Sequence, residues 1–178
     1  MRFVIFFIAL LAVVCGSVLA ASERLEPTLE THYGPWYRQS AQFVTSLWEP
    51  GQPGERLLLR GRVINTSGVP VEEALVELWH TDAFGNYPPL RASLRTKKNG
   101  SFGISTVLPG HNGGYRARHI HFVVTHPVHQ RLVTRIFFKG DENLAEAPYP
   151  ELAVFLEEGR IDSQLVYFSD VEFVLRIR

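Results

Sequence analysis

Sulfur is almost missing from this chain of 178 residues, which holds one cysteine, Cys15, and one methionine, Met1. Everything after residue 15 is free of it. That excludes a disulfide framework, a cysteine zinc site, an iron–sulfur cluster and a thiol nucleophile. Any metal must be held by nitrogen and oxygen. An excess of one charge is missing too, with 18 basic and 18 acidic side chains. Nucleic acid and an anionic membrane surface are therefore excluded as main partners. The polar bias of a disordered chain is absent, since 46% of residues are hydrophobic and 20% charged. No glycine-rich dinucleotide fingerprint occurs, so nicotinamide and flavin are not expected. The length suits one domain with a sizeable core.

Only one long apolar run exists, Phe3 to Val14, after Met1-Arg2 and before Gly16-Ser17-Val18-Leu19-Ala20-Ala21. A positive start, a short apolar stretch and small residues at its end describe a secretory signal, with cleavage expected after Ala20. An uncleaved anchor is the alternative. The expected product is secreted or periplasmic, without a stable membrane anchor. Residues 21–55, rich in proline, glycine and polar groups, read as an extended N-terminal arm. Residues 56–178 read as the body.

The body carries short strand-like runs between turn signals. These are Arg56 to Ile64, Ala74 to His80, Ser101 to Val107, Arg118 to Val124, Leu132 to Phe138 and Val171 to Ile177. Asn65 to Gly68 reads as a turn, and Lys97-Lys98-Asn99-Gly100 as a hairpin after Leu94-Arg95-Thr96. Glu151 to Glu158 alone has a helical period. Many short strands at close spacing predict an all-β fold, an antiparallel β-sandwich or barrel. Its edge strands would allow a homo-oligomer.

His119-Ile120-His121 is the strongest chemical signal. On a strand, residues i and i+2 share a face, roughly 6–7 Å apart at Cα. Two imidazoles can then reach one metal ion, while Ile120 and Phe122 join a core. Pro109 to Gly114 precedes the pair, with three glycines and His111, and Tyr115 and Arg116 follow. Histidine with tyrosine or carboxylate is the ligand set on offer, and phenolate oxygen favours a ferric ion. His80 reads as a core or hydrogen-bonded histidine and Trp79 as core packing. His126 and His129, flanking Pro127, read as solvated. Tyr37 either lines a pocket or packs the arm onto the body.

Three ordered stretches carry a family resemblance. The first runs from Gly61-Arg62-Val63 through Gly68-Val69-Pro70-Val71 and Ala74-Leu75-Val76-Glu77-Leu78-Trp79 to Gly85-Asn86-Tyr87. The second is Asn99-Gly100-Ser101-Phe102 through Pro109-Gly110. The third is Arg116-Ala117-Arg118-His119-Ile120-His121-Phe122 with Leu132-Val133-Thr134 and Phe137 to Asp141. With Gly34-Pro35-Trp36-Tyr37 in the arm, the chain resembles the intradiol ring-cleavage dioxygenases, the non-haem Fe(III) enzymes that open catechols. The resemblance implies a sandwich of transthyretin- or immunoglobulin-like topology. It also implies a ferric ion on Tyr87, Tyr115, His119 and His121, with Arg116 facing the substrate. Tyr115 stands three positions beyond the place where compact members put their second tyrosine, which here is Asn112. It reaches the histidines only if Gly113-Gly114 bend the chain, and His111 or a water are the alternatives. Arg135 departs from the glutamine frequent after Leu-Val-Thr, which bears on substrate choice. The implied chemistry is insertion of O2 between two hydroxylated carbons to give a muconate-type diacid, in aromatic catabolism. One tyrosinate would act as base and Arg116 would stabilise charge on the ring. A metal-free transthyretin-like binding domain and an inactive divergent member are the alternatives.

Overall fold

The computed structural model describes residues 24–34, 36–87 and 90–178. The expected signal at 1–20 lies outside them. Two sheets face each other. One holds β1 (Arg56–Asn65), β4 (Ser101–Val107), β8 (Glu157–Ile161) and β9 (Gln164–Leu175), in the order β4-β1-β9-β8. The other holds β2 (Leu75–His80), β3 (Leu90–Arg95), β5 (His119–Thr125), β6 (Leu132–Phe138) and β7 (Ala153–Val154), in the order β3-β2-β5-β6-β7. The β-sandwich expected from the strand spacing is present. Two ladders within it are parallel, β1 with β9 and β6 with β7. No helix among the described residues is long and apolar enough to cross a membrane.

Alternation places the core. Along β1, Leu57, Leu59 and Val63 point inward while Arg60 and Arg62 stay in water. Their partners across the sandwich are Val76 and Leu78 of β2 and Ile120, Phe122 and Val124 of β5, all fully or almost fully buried. Phe122 meets Phe173 of β9 with ring centroids 4.9 Å apart. β2, however, is buried on both faces. Its outer side chains, Glu77 and Trp79, lie beneath the arm, where Tyr37 packs on Trp79 at 5.1 Å and bonds Glu77 through its hydroxyl at 3.3 Å. The arm crosses the body on backbone bonds from Leu25 N to Thr66 O, Thr28 N to Val174 O and Thr31 N to Val133 O.

The helical expectation for Glu151 to Glu158 is not met. A single 3₁₀ turn spans Pro150–Leu152, and β7 and β8 follow. Eight residues make a marginal helix. Pairing of Ala153 and Val154 with Phe137 and Phe138, and a bond from Lys139 N to Val154 O at 2.8 Å, win instead. His129 is another correction, since it is buried rather than solvated, its Nδ1 2.8 Å from that of His126.

His80 bridges the sheets, as its core reading anticipates. Its Nδ1–H donates to Thr81 O at 2.7 Å, and its Nε2 accepts from Thr106 Oγ1 of β4 at 2.9 Å. Burial holds its pKa down at about 4, against an ordinary 6.5. Between those values the unfolded chain binds a proton that the folded one refuses, so stability rises with pH there. The contribution is full above 6.5 and is lost as pH falls toward 4. His80 by itself is expected to cost metal-free protein on the order of 2–3 kcal/mol on going from pH 7 to 4.5. Urea midpoints at the two pH values measure this, and a midpoint that does not fall contradicts it.

Candidate metal centre and active site

The outer face of the second sheet carries the site. Register sets three strands side by side: Trp79 opposite His121, His121 opposite Arg135, and His119 opposite Phe137. The two histidines share this face because they stand at i and i+2 on β5, and Ile120 between them enters the core. Their ring centroids are 4.9 Å apart with planes at 82°. His121 stacks on Trp79 at 4.9 Å and 6°. On its other side the arm comes so close that a Cβ on Gly34 would sit 3.0 Å from the imidazole, and Gly34 has φ +68°. Only glycine meets both demands at that position.

Loops bring the rest. Tyr87 comes from the β2–β3 connection and is half-buried, its ring stacked on Trp36 of the arm at 5.3 Å. Tyr115 and Arg116 follow a 3₁₀ turn, Asn112–Gly114, in which Gly113 and Gly114 both have positive φ. The chain therefore bends at the two glycines. Tyr87, Tyr115, Arg116, His119 and His121 all line one cavity of about 360 Å³. The tyrosine ring at 115 is 65% exposed, at the mouth. His111 is not among the lining residues; its Nε2 is bound to Asp141 at 2.9 Å. Tyr37 packs the arm and does not line the cavity.

Sequence reasoning missed several lining residues. His32 stands two positions before Gly34, and Asn143, Glu146, Ala147 and Pro148 come from the loop after β6. None belongs to a chemical motif, and only the folding of the arm and that loop over the sheet brings them here.

His119 and His121 are neutral at pH 7. Burial pushes His121 down to about 2, helped by His119 and the Arg135 guanidinium, and burial also lowers His119. His119 Nδ1–H donates to Ala117 O at 2.7 Å, which fixes the tautomer and leaves the Nε2 lone pair free. His121 Nδ1 is buried and has no hydrogen-bond partner among the described residues. Burial raises the Tyr87 phenol, against the opposing pull of Arg116 and Arg135. Among the described residues no three histidine, cysteine, aspartate or glutamate side chains are grouped to hold a metal ion. Beside the two imidazoles the cavity offers the phenol oxygens of Tyr87 and Tyr115.

A family model described as "Dioxygenase" matches residues 32–112 and 92–154. A catechol 1,2-dioxygenase of Acinetobacter lwoffii is 35% identical over 52% of this chain and 43% of its own length. A chlorocatechol 1,2-dioxygenase of Rhodococcus opacus is 25% identical over 80% of this chain and 70% of its own. The chain spans about half the length of most of the curated relatives it matches. Among solved structures, the dioxygenase domain of a carbohydrate-binding fusion protein from Streptomyces sp. SirexAA-E superposes with a TM-score of 0.76 at 26% identity, covering 86% of this chain and all of that one. The 3-chlorocatechol 1,2-dioxygenase of Rhodococcus opacus 1CP shares the fold with a TM-score of 0.78 at 20% identity, covering 88% of this chain and 75% of that one. By its strand register, its motifs and these matches, the chain belongs to the intradiol dioxygenase family.

Proposed function

We propose that this chain is a non-haem Fe(III) dioxygenase that inserts O2 between the two hydroxylated carbons of a catechol-type ring, giving a muconate-type diacid. One observation carries the reading: Tyr87, Tyr115, His119 and His121 line a single cavity with Arg116 beside them. The donor set suits a ferric ion, since it pairs two hard phenol oxygens with two neutral imidazoles. Among the described residues the buried His121 Nδ1 has no hydrogen-bond partner, an orphaned nitrogen of the kind a bound metal ion would satisfy. Bound there, ferric iron supplies Lewis acidity that holds a catechol as its dianion and opens the ring carbon to oxygen.

The chain's own groups divide the remaining work. Tyr87 is held by its stack on Trp36, so its phenol oxygen stays in place. Tyr115 lies at the open mouth and is the phenol able to swing and take a substrate proton at its oxygen. Arg116, whose guanidinium lies 5.7 Å from the Tyr115 ring, stabilises negative charge spreading over the ring. Phe137, Ala147 and Pro148 flank the cavity and keep water from the reacting face. The leader read in residues 1–20 would place this reaction in a periplasm or outside the cell, on phenolics met before uptake.

The test is oxygen uptake by iron-loaded protein with catechol, protocatechuate or hydroxyquinol. One O2 consumed per ring, with a ring-opened diacid as product, is the expected result. No uptake with any of the three would overturn the reading.

A further inference from the structure

Two guanidinium groups line the cavity, but the charge that would balance them is lacking. Arg135 sits on β6 between His121 and the arm and is 8% exposed. Its Nη2 donates to His32 O at 3.0 Å and its Nε reaches Thr31 Oγ1 at 3.4 Å. Both acceptors are neutral. Arg135 also lies 5.7 Å over the Tyr149 ring. Among the described residues no carboxylate comes within 4.0 Å of Arg135 or Arg116. Glu146 is the one acid lining the cavity among the described residues, and it is exposed. A buried cation without a counter-ion favours an anionic ligand, and guanidinium is the side chain best shaped to take a carboxylate.

Arg116 already has a part in the reaction proposed above, stabilising charge on the ring. Arg135 has none. In a bare catechol both oxygens go to the ligand set, so nothing negative remains for the second guanidinium. The cavity, at about 360 Å³, lies within the roughly 300–1,000 Å³ of pockets that take drug-sized ligands. A single unsubstituted ring under-fills it. Phe137, two residues along β6 on the same face, offers an apolar wall beside the charge.

We infer that the substrate is a catechol bearing an anionic, carboxylate-class substituent, and that Arg135 is the specificity-determining residue that receives it. This rests on the reading of the cavity as a catechol site and narrows the substrate class. Discrimination comes from the unpaired charge, because a ligand lacking the anion leaves the buried guanidinium unanswered.

The experiment compares binding of 4-hydroxybenzoate and 4-methylphenol, two rings with one hydroxyl that cannot be cleaved as catechols, by titration calorimetry. The wild-type chain is expected to bind the benzoate at least tenfold more tightly, about 1.4 kcal/mol. Arg135→Gln, which keeps a donor for His32 O, is expected to lower that affinity ratio at least tenfold. Arg135→Lys, which keeps the charge, is expected to hold most of it. A merely structural role for Arg135 would weaken both ligands together and leave the ratio unmoved. A wild-type ratio near one overturns the inference whatever the variants do, and so does an unchanged ratio in Arg135→Gln. Oxygen uptake separates this from the reaction itself. A benzoate preference that depends on Arg135, in iron-loaded protein that consumes no oxygen with any diol, supports the anion site while the dioxygenase reading falls. Catechol cleavage with no benzoate preference does the reverse.

Discussion

His119→Ala is expected to weaken ferric binding by more than about 100-fold, because loss of a group that merely orients a ligand already costs about 10–100-fold. The ring is well placed for the loss to be local. It sits at the start of β5, is only partly buried, and among the described residues its ring bonds Ala117 O alone, two residues away. The strand ladder from His119 to Phe137 is a backbone matter and survives the substitution. Iron content after loading and gel filtration measures the binding, and a urea melt of the metal-free protein checks the fold. Loss of iron with an unchanged melt is the expected pair. A variant that keeps a full complement of iron and still opens catechol would move the metal site elsewhere.

Trp79→Ala carries the largest stability effect. The indole is 2% exposed, lies flat on His121 and packs against Tyr37 of the arm at 5.1 Å. Truncating a buried tryptophan typically costs about 3–5 kcal/mol, partly from lost burial and partly from the cavity left behind. Typical domains have only about 5–15 kcal/mol in all. Trp79 also joins the two parts of the molecule that build the site, with the sheet beneath and the arm above. Its loss should therefore free the His121 ring and loosen the Gly34 approach as well as lower the urea midpoint. Trp79→Phe keeps a flat aromatic surface and should recover most of both. A loss below about 1 kcal/mol would mean that the arm does not cover this face as described.

Legibility in the sequence followed the physics of each segment. The alternation of Leu57, Leu59 and Val63 on β1 and of Ile120 and Phe122 on β5 is a local, period-two signal, and the structure puts these residues in the core. The pairing of His119 with His121 on one face follows from the same period. Tyr115 was harder. In a straight strand it would stand about 13 Å from His119; the two consecutive positive φ angles at Gly113 and Gly114 bend the chain there, and Tyr115 lines the same cavity as the histidines. The parallel pairing of β1 with β9 joins residues more than a hundred positions apart, which no local pattern encodes. Glu151 to Glu158 misled because Pro150 and an apolar spacing imitate one helical turn, while the tertiary ladder to β6 decides the outcome. His32 and the loop at 143–148 had no signal at all, since their place depends on how irregular backbone lies over a finished sheet. Arg135 was visible as a departure from the family pattern, but its meaning depended on the absence of a partnering carboxylate, which only three dimensions reveal.

The most direct test of the account is the visible spectrum of the chain loaded with ferric iron. Phenolate bound to Fe(III) absorbs visible light by charge transfer from oxygen to metal, and neither histidine nor carboxylate ligation imitates it. Iron-loaded protein is expected to be coloured, with a band altered in Tyr87→Phe and in Tyr115→Phe. A protein that binds one ferric ion and stays colourless, or a band untouched by both substitutions, would contradict it.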